Sequence, residues 1–163
     1  MSGSGEKGPG RFVVDTNVFV SAVKPFSERG HGAPTDTGSL ALLLRLINDD
    51  RLELFGNLWL ADEYRRLAEE LHSETSGLLL GLLTKKMKEI AGVDEEAVAR
   101  CRPYLPDEEA ADVIHAATCL QAGAILISND GDFDRIRDAG IIEVWSIGDA
   151  IRRLHVFGGR GRL

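Results

Sequence analysis

Cysteine is nearly absent from this chain of 163 residues: Cys101 and Cys119 stand alone, with no C-x-x-C spacing. Neither a zinc site nor a disulfide framework is signalled, and a reducing, intracellular compartment is the simplest reading, so a cytoplasmic location is expected. Long apolar runs are missing as well. None approaches the roughly 18 residues of a membrane span, and residues 1–10 are rich in Gly and Ser without an apolar stretch, so neither a membrane partner nor export is expected. Positive charge is in deficit, with a formal net charge of −7. Whole-molecule attraction to nucleic acid is therefore not expected, and a polyanion would need a local basic patch or bound cations. No G-x-G-x-x-G or G-x-x-x-x-G-K-[ST] follows the first predicted strand, which leaves few nucleotide-cofactor options.

What is present suits one soluble globular domain. Hydrophobic residues make up 44% and charged residues 28%, which excludes collagen-like and largely disordered classes. Residues 1–10 read as a flexible lead, 11–154 as a single domain and 155–163 as a basic tail. The run Phe12-Val13-Val14 ends abruptly in Asp15, as in a buried parallel strand that delivers a carboxylate to its C-terminal end. Lys24 to Asp36, with two Pro and two Gly, reads as a long loop that is either a cover for substrate or a mobile insertion. Helical spacing returns over Ser39–Asp50, and Leu52–Phe55 alternates as a second strand. A helix follows from Leu60 to Leu71, another spans Ser76–Ile90, and Asp94 caps a short helix through Arg100. Cys101–Leu105 is expected as an edge strand. A helix opens at Pro106-Asp107-Glu108-Glu109 and closes at Gly123. Ala124–Ser128 reads as a buried strand, Asn129–Asp134 as an acidic turn, Ile141–Trp145 as the last strand and Ile147–Leu154 as the last helix. This alternation argues for an α/β fold of three layers around a parallel sheet.

Four acids differ from the others by position. Asp15 and Asp130 each follow a predicted buried strand, so parallel pairing would bring them to one edge. Glu63 and Asp112 lie at the border of apolar helix faces, Asp112 without a basic residue at helical spacing, whereas Asp62 and Glu69 have Arg65 and Arg66 within reach. Taken singly, each reads more readily as a cap, a turn residue or a surface acid than as a ligand, and only their joint arrangement points to a site. Gathered in one pocket they would raise each other's pKa unless cations neutralise them. Oxygen ligands point to Mg²⁺ or Mn²⁺, and two such ions about 4 Å apart activate water and stabilise the leaving oxygen in phosphodiester hydrolysis. Asp132 is a further candidate ligand or supporting group. The segment from Asp130 is not a calcium loop, because Arg135 and Ile141 stand where Gly and Glu are required.

Four stretches in order carry a resemblance: Val14-Asp15-Thr16-Asn17-Val18-Phe19-Val20-Ser21, Leu60-Ala61-Asp62-Glu63-Tyr64, Ala111-Asp112-Val113-Ile114-His115-Ala116-Ala117 and Ile125-Leu126-Ile127-Ser128-Asn129-Asp130-Gly131-Asp132-Phe133. Over roughly residues 11 to 150 the chain resembles the PIN-domain ribonuclease family, especially its prokaryotic branch of VapC-type toxins. The resemblance implies a three-layer α/β/α fold with strand order 3-2-1-4-5 and metal-dependent cleavage of RNA. It places the acidic quartet on Asp15, Glu63, Asp112 and Asp130, and the small polar residues that position acids, water or phosphate on Thr16 or Asn17 and on Ser128. It also implies an RNA substrate, a homodimer and a small antitoxin partner. Similar domains act in RNA maturation and decay, so the toxin role is one reading among these.

Weaker candidates are His115, three residues from Asp112, and His31 in the long loop. Lys85, Lys86, Lys88, Arg152, Arg153, Arg160 and Arg162 form the best local basic patches for an RNA backbone, and read equally as a solvated face and tail. Two rivals to the nuclease stand open. One is a catalytically silent PIN-like RNA-binding or scaffold module. The other is a phosphatase or phosphoacceptor with Asp15 as nucleophile, although Asn17 stands where its D-x-D motif wants a second Asp.

Overall fold

The computed structural model describes residues 10–27, 37–106 and 110–157. Strand β1 (Arg11–Val14) leads into helix α1 (Thr16–Ser27), followed by α2 (Thr37–Asn48), β2 (Glu53–Gly56), α3 (Leu58–Leu71), α4 (Glu74–Lys86) and β3 (Lys88–Glu89). After these come α5 (Glu95–Cys101), a 3-10 turn (Arg102–Tyr104), α6 (Ala110–Ala122), β4 (Ile125–Ile127) and a second 3-10 turn (Gly131–Phe133). The chain continues through α7 (Asp134–Asp138), β5 (Val144–Trp145) and α8 (Ile147–Arg153). The five strands pair in parallel in the order β3-β2-β1-β4-β5, with helices flanking the sheet as an α/β/α fold.

The central strands explain why the sheet forms where it does. Phe12, Val13, Leu126 and Ile127 are fully buried, as expected of strands covered on both faces. Val13 pairs with Leu126 and Val14 with Ile127, so β1 and β4 end side by side. The next two backbone groups extend the ladder: Asp15 donates its N–H to the Ile127 carbonyl at 3.0 Å, and Ser128 donates to Trp145 at 2.9 Å. Helix α6 closes on Gly123 at φ +65°, where a residue without Cβ adopts the left-handed turn into β4.

Several expectations are corrected. The helix foreseen to Ile90 stops at Lys86, because Met87 turns extended and Lys88 pairs with Phe55. The edge strand is therefore Lys88–Glu89 rather than Cys101–Leu105. Gly56 makes this possible, since the Met87 thioether occupies the space a Cβ there would fill. Cys101 instead ends α5 fully buried, and Pro103 falls in the first turn of the following 3-10 segment, where its fixed φ suits helical backbone. Asp94 occupies the cap position of α5 without a side-chain cap, while its N–H donates to Gln121 Oε1 at 2.8 Å. The foreseen loop at Lys24 is helical to Ser27, and the last strand begins at Val144 rather than Ile141. The remainder of that loop with His31, the lead through Pro9, residues 107–109 and the tail from 158 lie outside the described residues. Among the described residues no helix is long and apolar enough to cross a membrane.

Candidate active site

The shared edge of β1 and β4 positions the first acid. Asp15 is buried, and its carboxylate is held from three directions. Oδ1 accepts the Thr16 N–H at 2.8 Å, while Oδ2 accepts the Ser128 hydroxyl at 2.7 Å and the Asn17 side-chain amide at 3.1 Å. Burial raises the Asp15 pKa above its ordinary value; the Ser128 hydrogen bond, His115 and the Thr16 N–H oppose that, and the nearby Asp130 charge adds to it. Ser128 in turn accepts the Asp130 N–H at 3.0 Å and Asn17 Nδ2 at 3.2 Å. Asp130 then caps the following 3-10 turn, its Oδ1 accepting the Asp132 N–H at 2.9 Å.

Two helices bring the other acids. Glu63 on α3 lies with Oε1 3.3 Å from Nε2 of the buried His115 on α6, and Asp112 sits one turn earlier on α6. Asp15, Thr16, Asn17, Glu63, Asp112, His115 and Asp130 all line one open cleft of about 510 Å³, and no Lys or Arg is among its described lining residues. Ser128 does not line this cleft but lines a neighbouring one that shares Asp130. Asp132 is exposed, yet its carboxylate oxygen and those of Asp112 and Asp130 lie within 4.8 Å of one another. Carboxylate oxygens at that separation are a hard donor set that fits a divalent cation such as Mg²⁺ or Mn²⁺.

A family model described as PIN domain matches residues 12–139. The chain belongs to the PIN domain family. Among solved structures, the PIN domain is similar to VapBC2 from Rickettsia felis bound to a DNA fragment from their promoter, with 14% identity and a TM-score of 0.56 over 83% of this chain and 98% of that one. FitAcB from Neisseria gonorrhoeae aligns with 18% identity and a TM-score of 0.55 over 84% and 98% of the two chains. FitAB bound to an IR36 DNA fragment aligns with 21% identity and a TM-score of 0.53 over 83% and 94%. At these identities the likeness carries the fold. No curated protein matches the chain.

Two side chains outside the acidic quartet and the small polar set hold this PIN domain's helices over the sheet edge. Asn57 caps α3, its Oδ1 accepting the Leu60 N–H at 2.8 Å, and its Nδ2 donates to the Thr118 hydroxyl on α6 at 2.9 Å. One buried amide thus ties the helix carrying Glu63 to the helix carrying Asp112. An Asn directly before an apolar-periodic run is a readable cap signal, but its partner 61 residues away is not. Tyr64, also fully buried, donates its hydroxyl to the Val14 carbonyl, the last β1 residue before Asp15. Burial and the charges of Asp15 and Glu63 push its pKa well up, so it stays a neutral donor. Of the basic candidates, Lys86 donates to the Ile47 and Asp49 carbonyls, Lys88 pairs with Glu53, and Arg152 pairs with Asp149. Arg153 stacks over Trp145 at 4.9 Å and lines a neighbouring cleft that shares Asp130. Arg160 and Arg162 lie outside the described residues.

Proposed function

We propose that the chain is a divalent-metal-dependent endoribonuclease that hydrolyses RNA phosphodiester bonds. The observation that carries this reading is the acidic cleft: Asp15, Glu63, Asp112 and Asp130 converge there from four separate elements, with no Lys or Arg on its described wall. Carboxylates brought together in one cleft repel one another, and cations bound among them would relieve that repulsion. Asp112, Asp130 and Asp132 would hold an ion, with Asp15 and Glu63 completing the set across the cleft. When bound, Mg²⁺ or Mn²⁺ supplies water activation and neutralises charge at the scissile phosphate.

The remaining work falls to the chain's own residues. Ser128 and Asn17 fill both acceptor positions of Asp15 Oδ2, and Thr16 takes one on Oδ1. One Oδ1 position is thereby left for a ligand in the cleft. His115 Nε2 steadies the Glu63 carboxylate at 3.3 Å. Arg153, stacked on Trp145 beside Asp130, offers a fixed cation for the RNA backbone next to the acids. The same reading takes the chain as the toxin of a cytoplasmic toxin–antitoxin pair, acting as a homodimer with a small antitoxin. The likeness in fold to members of the VapBC and FitAB assemblies supports it.

The deciding experiment is cleavage of single-stranded and hairpin RNAs by the wild type and Asp15→Asn, with Mg²⁺, with Mn²⁺ and with chelator. Metal-dependent cutting is expected from the wild type, and the variant is expected to keep the fold and lose most activity. Full activity in Asp15→Asn would remove this site from the chemistry. RNA that is bound but left intact in every lane would turn the assignment to a binding module.

A further inference from the structure

We propose that α4 is the contact surface of a symmetric homodimer, in which the exposed faces of two α4 helices pack antiparallel. This names the surface for the homodimer suggested above and uses no residue of the acidic cleft. Helix α4 has two opposed faces. Ser76, Leu79 and Leu83 are buried against the domain, whereas Glu74, Gly77, Leu78, Gly81, Leu82 and Lys85 are all exposed. The exposed positions recur at three- and four-residue steps, which is one continuous stripe of a helix.

Nothing inside the described chain explains that stripe. Leu78 is 69% and Leu82 45% exposed, among the few large apolar side chains left to solvent. Gly77 and Gly81 lack positive φ, and a Cβ built on either meets no atom within 4 Å. Glycine is a poor residue for a helix interior, so neither conformation nor internal packing requires it at these two positions. A surface outside the chain would.

The order of the six residues identifies that surface. About a point midway between Leu79 and Leu80 the stripe is complementary to its own reverse: Glu74 mirrors Lys85, Gly77 mirrors Leu82, and Leu78 mirrors Gly81. A two-fold axis through that point sets each exposed leucine of one copy over a glycine of the other, where the missing side chain leaves room for it. It also sets each Glu74 against the Lys85 of the second copy. Isologous contacts have this reciprocity. A parallel pairing would stack like charges at both ends. Among the described residues Glu74 and Lys85 form no ion pair that would compete, unlike Lys88, which is taken by Glu53.

Sedimentation velocity on the full chain, from about 1 to about 100 μM, tests the pairing. The wild type is expected to be a dimer. Gly81→Leu, which has no internal neighbour to clash with, is expected to give a folded monomer, with unchanged circular dichroism as the check on folding. Glu74→Lys and Lys85→Glu are each expected to weaken the dimer, by about tenfold where the partner charge is left facing its like, and the double exchange is expected to restore it. A wild-type dimer indifferent to Gly81→Leu would overturn this surface while leaving homodimerisation standing. Failure of the double exchange to restore association would overturn the antiparallel register. A wild type that stays monomeric, or whose α4 face binds only a different protein, would overturn the pairing altogether.

Discussion

Replacing Ser128 by Ala should weaken the fold in a pH-dependent way. The hydroxyl is buried, donates to Asp15 Oδ2 at 2.7 Å, and accepts from Asp130 N–H and Asn17 Nδ2. A hydrogen bond to an ionised acceptor contributes about 1.5–3 kcal/mol. For a domain of this size each kcal/mol moves Tm by about 2–4 °C, so the variant should melt about 3–12 °C lower at neutral pH. The sign of the pH dependence follows from Asp15. Its folded pKa already lies above the ordinary 3.8, so ionising it opposes folding; that opposition is absent below 3.8 and grows as pH rises through the folded pKa. Ser128 is the strongest influence restraining the rise, and its loss pushes the folded pKa further up. The gap in Tm between wild type and variant should therefore be widest near neutrality and narrow as the carboxyl protonates. Thermal melts across this range, in chelator so that bound cation does not contribute, read the gap directly. Ser128→Thr, which keeps the hydroxyl, should close most of it. A gap that is flat with pH, or widest in acid, would refute the charge-assisted role of Ser128.

Asn57→Ala should lose both the α3 cap and the tie to Thr118, together about 1–3.5 kcal/mol. Asn57→Ser should recover only the cap share, which urea unfolding midpoints of the three proteins would show. The two thiols should be inert in the folded chain, since burial pushes Cys101 up to about 11 and Cys119 well above its usual range. A colorimetric thiol reagent at neutral pH should find both only after denaturation, and rapid labelling of either in the native protein would contradict their burial.

How far the sequence can be read depends on what each element uses to hold its place. Strands β1 and β4 are legible because a strand covered on both faces must be apolar throughout, and Phe12-Val13-Val14 and Ile125-Leu126-Ile127 are. Strand β3 is not, because Lys88 and Glu89 are exposed and polar and join β2 through the backbone ladder and the Lys88–Glu53 ion pair, which leaves no apolar pattern. The Cys101–Leu105 segment misleads for the opposite reason: Cys101 and Leu105 are buried like strand residues, yet the backbone between them is helical. Within the cleft, Asp15 and Asp130 are marked by following apolar runs, and Glu63 and Asp112 by their positions at the border of apolar helix faces. Asn57 and Tyr64 carry no comparable mark, because what matters is a partner 61 or 50 residues away. Periodicity reports that a face is buried and is silent on what it meets.

The hydrogen bonding around Ser128 also bears on why the cleft can hold its acids before any cation arrives. A hydroxyl has one proton and two acceptor positions, and here all three are used: the proton goes to Asp15, and Asp130 N–H and Asn17 Nδ2 occupy the acceptors. Its rotor is therefore fixed, and with it the spacing between the two strand-end acids. Asn17 closes the ring, since its amide also donates to Asp15 and its carbonyl oxygen accepts the Asn129 N–H at 3.4 Å. Repulsion between Asp15 and Asp130 would otherwise push the loop after β4 away from β1. Burying Asp15 there, with a smaller contribution from the Asp130 charge, costs stability in the empty site, as the raised Asp15 pKa records, and that is the usual arrangement where acids are kept in place for an incoming ligand. The chain's net charge of −7 adds to this cost. If the chain cleaves RNA as proposed, a backbone approaching the cleft would meet repulsion that bound cations or a local cation such as Arg153 would relieve, so occupancy by metal would govern substrate binding as well as the chemical step.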